Sequence, residues 1–205
     1  VHDFLEGAYQ MDQQALNPDI FQNMSLMAAL IGVWEVHRMG AQALAVIPYS
    51  VALSRFVAHL QQLDGESNGK RVSIDGRPLG YDTAPIIFGE PGTNAQHSFF
   101  QLLHQGTPSI PVQFIGFRQP QMNDGGDKES QGASQQALLA NLTAQVVALS
   151  QGERSDDLTQ DFPGNRSVTL LMAEQLTPQV MGALLAFYEN RVMFQGFLWD
   201  VNSFD

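Results

Sequence analysis

The sequence predicts an α/β fold built on a parallel sheet of about five strands with helices on its faces. Two observations lead there. Short apolar runs of strand length alternate with longer stretches of helical periodicity, an order that argues for a covered parallel sheet. In addition, a glycine- and proline-bearing turn, Gly89-Glu90-Pro91-Gly92, passes the chain from an apolar run into a helical pattern. In open α/β folds, ligands bind where strands hand over to helices.

The elements follow in order. Residues 1–15 place Phe4, Leu5, Ala8, Tyr9 and Met11 near helical spacing, and Asn17-Pro18 breaks the pattern. Residues 20–39 are apolar on most sides, which predicts a buried helix ended by Gly40. Ala43–Pro48 reads as a buried strand. Ser50 is a candidate cap for a helix over Val51–Leu63. The polar run Asp64–Lys70 follows as a loop, and then Val72–Leu79 as a hairpin turning at Asp75-Gly76. Pro85–Phe88 is the next strand. Thr93 or Asn94 is a candidate cap for the helix after it, whose apolar positions are Phe99, Phe100, Leu102 and Leu103. Ile110–Phe117 is a strand, Arg118–Gly132 a polar loop, and Ser134 a candidate cap for a helix through Leu149. Gln151–Gly164 is a charged connector and Val168–Met172 a strand. Thr177-Pro178, a cap followed by proline at the first helical position, opens a helix through about Gln195. Phe197–Val201 reads as a last strand or an extended run.

The chain has 205 residues, 44% of them hydrophobic, enough for one good core. Its net charge is −11 and no basic run exceeds Lys70-Arg71, which argues against nucleic acid and anionic membranes as partners. A phosphorylated small molecule is compatible with that balance if a local device holds the phosphate. With no cysteine there is no disulfide framework, and the compartment leans to the cytosol. No stretch approaches a membrane span in length.

Several side chains are candidates for chemistry. Glu66, between glycines 65 and 69, is ordinarily a solvated carboxylate, but the glycines permit close ligand approach. His97, read in the first turn of its helix, would feel the positive helix end, which favours a neutral imidazole able to exchange a proton. His37, His59 and His104 read as structural, Lys70 as a solvated charge and Glu90 as a loop-stabilising carboxylate. No ligand set at useful spacing suggests a metal.

Phe88–Thr107 (FGEPGTNAQHSFFQLLHQGT) and Leu63–Lys70 (LDGESNGK) closely resemble blocks of the glucose-6-phosphate isomerases. Met11-Asp12-Gln13, the helix Ser50–Leu63, Gly164-Asn165-Arg166 and Leu198–Asp205 match as well, so the resemblance covers nearly the whole chain. It implies a sugar-isomerase (SIS) domain, a flavodoxin-like three-layer sandwich. It also implies interconversion of glucose 6-phosphate and fructose 6-phosphate through a cis-enediol, without metal or organic cofactor. Residue by residue, Glu66 falls on the general base, His97 on the ring-opening histidine and Gln62 on a substrate contact. In the family that histidine serves the neighbouring subunit, so a cytoplasmic homodimer is implied. The family's phosphate clamp, its enediolate-steadying arginine and its catalytic lysine have no counterpart in residues 1–205. The resemblance therefore implies the second domain of a two-domain enzyme, cut at both ends and inactive alone. A non-catalytic sugar-phosphate-binding SIS module is the alternative. Ala95 stands where the family has glycine, and Phe88 where it has tryptophan.

Overall fold

The computed structural model describes residues 1–121 and 128–204. The fold is α/β, with strands and helices alternating along the chain. In order these are α1 (His2–Ala15), α2 (Met24–Met39), β1 (Ala43–Pro48), α3 (Phe56–Asn68), β2 (Ile86–Phe88), α4 (Gly92–Ala95) and α5 (Phe100–Gln105). They continue with β3 (Val112–Phe117), α6 (Lys128–Gln151), β4 (Val168–Ala173) and α7 (Pro178–Leu198). The sheet has four strands in the order β2-β1-β3-β4, and the β1–β3 and β3–β4 pairs are parallel. Phe197–Val201, read as a last strand or an extended run, is not a strand, and its first two residues are helical. Helix α7 continues to Leu198, and Trp199 N–H still donates to the Gln195 carbonyl at 2.8 Å. Asp200, at φ +54°, then turns the chain away.

The chain divides into two compact units. A sheet unit comprises Ala43–Val57 and Ile87–Leu176. Ala45 and Ile47 of β1, Val112 and Phe114 of β3, Phe100 of α5 and Leu142 of α6 form its buried core. The central strands β1 and β3 are buried almost throughout, with both faces covered, whereas Ile86 of β2 and Leu170 and Met172 of β4 are exposed. A helical unit comprises Val1–Gln42, Ala58–Ile86 and Thr177–Asp205, with α1 and α2 packed on α7. Val36, Trp199 and Val201 are buried together in it.

The cap residues read from the sequence explain several boundaries. Thr177 Oγ1 accepts from Val180 N–H at 3.2 Å, and Gly40 ends α2 at φ +67°. The start of α2 was not legible. Asn23, at 1% exposure, accepts from Leu26 N–H at 2.9 Å, so the helix begins at Met24 and Ile20 and Phe21 stay outside it. Nor is α2 buried on most sides, for Trp34 is 54% exposed. Ser50 makes no capping bond; a short 3-10 turn follows it and α3 begins at Phe56. The hairpin at Val72–Leu79 is a single antiparallel bridge, Val72 to Pro78, with Gly76 at φ +75°. The expected polar loop after Arg118 ends sooner than Gly132, because α6 already begins at Lys128 and Ser134 lies inside it. Part of that stretch, residues 122–127, lies outside the described residues.

The turn between β2 and α4 depends on one glycine. Gly89 has φ +155°, and a Cβ there would collide with the carbonyl oxygen of Val46 in β1. Both backbone conformation and space therefore exclude a side chain. Gly89→Ala is expected to cost about 1–3 kcal/mol, read as a lowered Tm of the purified protein.

Candidate active site

Three residues read from the sequence sit on two local frameworks. The first is the end of α3 in the helical unit. Residues four apart share a helix face, and Gln62 Nε2 donates to Glu66 Oε2 at 3.3 Å. Both side chains are exposed. The expected loop at Asp64–Lys70 is helical as far as Asn68, so Glu66 stands within the last turn of α3, not beyond it. Among the described residues no cation lies within ion-pair distance of Glu66. The carboxylate is thus a solvated acceptor, held by one neutral amide.

Beyond α3 a cavity of about 420 Å³ opens within the same unit. Lys70, Arg71, Tyr81, Asp82 and Thr83 are among its walls. His37 Nε2 donates to the Asp82 carbonyl at 2.8 Å and its ring meets Tyr81 edge-on at 5.3 Å, a structural role.

The second framework is the turn after β2 in the sheet unit. The expected continuous helix is two short pieces. Pro91, not Thr93 or Asn94, precedes α4, and four turn residues separate Ala95 from Phe100. The reason is core packing: Ala95, Phe100 and Leu103 must all be buried, which the broken path achieves. His97 therefore lies in the turn, exposed, with its N–H donating to the Asn94 carbonyl at 3.1 Å. It is not in a first helical turn, so the helix-end field expected to act on it is absent.

What holds this turn is a polar cluster that sequence reasoning missed. Gln96 Nε2 donates to Asn141 Oδ1 at 2.5 Å and to Tyr49 Oη at 3.4 Å, and Tyr49 Oη donates to Asn141 Oδ1 at 2.9 Å. Burial pushes the Tyr49 hydroxyl pKa up, against the bond from Gln96. The three residues tie the turn at His97 to the residue that follows β1 and to α6. His104 is structural as read: Nε2 donates to Gln145 Oε1 at 2.9 Å, and the ring lies edge-on to Phe162 at 5.7 Å. Glu90 is exposed.

Among the described residues, no three His, Asp or Glu side chains are placed to hold a metal ion, and no helix is long and apolar enough to cross a membrane. Comparison with known proteins decides the family. A family model described as phosphoglucose isomerase matches residues 1–205. The chain belongs to the phosphoglucose isomerase family. It is 55% identical over 206 residues to the glucose-6-phosphate isomerase of Treponema denticola, covering 100% of this chain and 39% of that protein. To the glucose-6-phosphate isomerase of Protochlamydia amoebophila it is 50% identical over 204 residues, covering 99% of this chain and 38% of the relative. The crystal structure of a glucose-6-phosphate isomerase from Chlamydia trachomatis superposes with a TM-score of 0.91 at 46% identity, over 99% of this chain and 39% of that one. A hypothetical protein from Thermus thermophilus shares the fold at a TM-score of 0.75 and 23% identity, over 99% of this chain and 46% of that one. The chain thus spans about two fifths of the length of the phosphoglucose isomerases it matches.

Proposed function

We propose that this chain supplies the proton-transfer base of a glucose-6-phosphate isomerase. The observation that carries the reading is the Glu66 carboxylate, exposed in the last turn of α3 with Gln62 as its neutral neighbour. A carboxylate so placed keeps lone pairs for a carbon-bound proton, and an amide beside it can bind sugar hydroxyls.

In the open-chain aldose, Glu66 takes the C2 proton. The C2–H electron pair becomes the C1=C2 bond, and the C1 carbonyl pair moves to oxygen, which is protonated to give the enediol. Glu66, now a carboxylic acid, returns its proton to C1. The C2 hydroxyl loses its proton and becomes the ketone, so the proton count is unchanged. His97 exchanges a proton with the ring oxygen when the cyclic sugar opens, and Gln62 contacts the substrate. The reading extends to a second SIS-type domain of a two-domain cytoplasmic enzyme of glycolysis and gluconeogenesis. It also extends to a homodimer in which His97 serves the neighbouring protomer.

The test is conversion of fructose 6-phosphate by the full-length protein in heavy water. Deuterium in part of the C2 positions of the glucose 6-phosphate formed, the remainder carrying the hydrogen passed on from C1, supports the reading. Binding of either sugar phosphate without conversion would instead make the protein a non-catalytic module. His97→Ala is expected to lower kcat/KM up to about a hundredfold. Inhibition by an acyclic sugar-alcohol phosphate, which has no ring to open, should be unchanged in that variant.

A further inference from the structure

We propose that the inward face of α3 is a clamp that positions the Glu66 carboxylate, with Asp64, Asn68, Arg191 and Ser203 as its positioning residues. The proposal rests on the reading of Glu66 as the base. Along the last two turns of α3 two i, i+4 pairs face opposite ways. Gln62 and Glu66 point to solvent, whereas Asp64 and Asn68 are 1% and 0% exposed. Arg191 of α7 meets Asp64 with one Nη atom, 2.7 Å from Oδ1 and 2.5 Å from Oδ2. The guanidinium also lies over the Tyr188 ring, 5.0 Å from its centroid. One turn on, Asn68 Nδ2 donates to the Val192 carbonyl at 2.8 Å, and Ser203 Oγ donates to Asn68 Oδ1 at 2.6 Å. Ser203 comes that close because residue 196 is glycine. A Cβ there would overlap the Ser203 hydroxyl.

These bonds do more than hold two helices together. A buried ion pair contributes little net stability over apolar side chains of the same volume. What charge-assisted bonds add is defined geometry. Geometry is what the end of α3 lacks on its own, since helix ends run out of intrahelical partners and fray. Glu66 stands two residues from that end, and its task is to move one proton between adjacent carbons. A displacement of about 1 Å at such a group costs up to about a hundredfold in rate. The clamp anchors α3 on either side of Glu66, at residues 64 and 68.

The experiment uses the full-length protein and glucose 6-phosphate carrying deuterium at C2. It reads kcat, KM and the fraction of label retained at C1 of the fructose 6-phosphate product. A base held in place passes the label on, whereas a base that wanders exchanges it with water. Ser203→Ala removes one clamp bond without leaving a charge unpaired, and Asp64→Asn removes the carboxylate. The expected result is a lower retained fraction in both variants. A kcat reduced several-fold for Ser203→Ala and about tenfold or more for Asp64→Asn should accompany it, with KM within about twofold of wild type. Should Asp64→Asn fail to fold, Ser203→Ala decides. Unchanged retention in folded Ser203→Ala, alongside an inactive Glu66→Gln control, overturns the clamp and leaves the base intact. An active Glu66→Gln control overturns the reading of Glu66 itself.

Discussion

Glu66→Gln in the full-length protein is expected to lose about 10²- to 10⁴-fold in kcat while keeping its affinity for sugar phosphate. The substitution preserves size and leaves an oxygen that Gln62 can still reach, so the helix end should not move. What it removes is the ability to accept a proton from carbon. No cation lies against Glu66 among the described residues, so no ion pair is broken and no stability loss obscures the result. Steady-state rates in both directions, with titration calorimetry for binding, make the measurement. Near-wild-type turnover would exclude Glu66 as the base.

The second large effect concerns stability. Arg191→Met is expected to destabilise the protein by about 3–5 kcal/mol near neutral pH, because the carboxylate of Asp64 is left buried without its partner. The loss should depend on pH. Burial pushes the Asp64 pKa above the ordinary carboxylate value, and Arg191 opposes that rise. In the variant burial acts alone. A carboxyl with a raised folded pKa holds its proton more tightly folded than unfolded. Its favourable contribution is complete below the unfolded pKa and is lost as pH rises through the folded one. The stability difference between variant and parent should therefore be small in acid and grow toward neutrality. Urea midpoints from about pH 4 to about pH 8 test this, and a difference that does not change with pH would refute it.

How far the sequence foretold this depended on the range of the interactions. Ala43–Pro48 forms a strand over those residues, and Thr177 and Gly40 bound their helices as read. Each depends on local periodicity or on a cap within one turn. Readings failed where distant packing decides. Gly65 costs about 1 kcal/mol in a helix interior, which argues for a loop. The contacts that keep the helix going join Asp64 to Arg191, 127 residues away, and Asn68 to Val192, 124 away. The break before Phe100 answers to a core made by other strands, and the fifth strand was lost to a helix whose end depends on Asp200. Glu66, Gln62 and His97 were singled out by resemblance. The structure brings Gln62 and Glu66 together and leaves His97 exposed in a turn. The Tyr49–Gln96–Asn141 cluster gave no sequence signal beyond Gln96 standing next to His97.

The helical unit is assembled from three separated stretches of chain, the last beginning at Thr177. On a ribosome its first helices emerge long before α7, the surface they need. At ordinary elongation rates the delay is on the order of ten seconds. Until then Val36 of α2 lacks Trp199 and Val201, the residues it is buried with, and the sheet unit, which runs to Leu176, is itself incomplete for nearly as long. Nascent chains should therefore be most exposed to chaperone capture and protease attack in that interval, and a translational pause ahead of α7 should lengthen it.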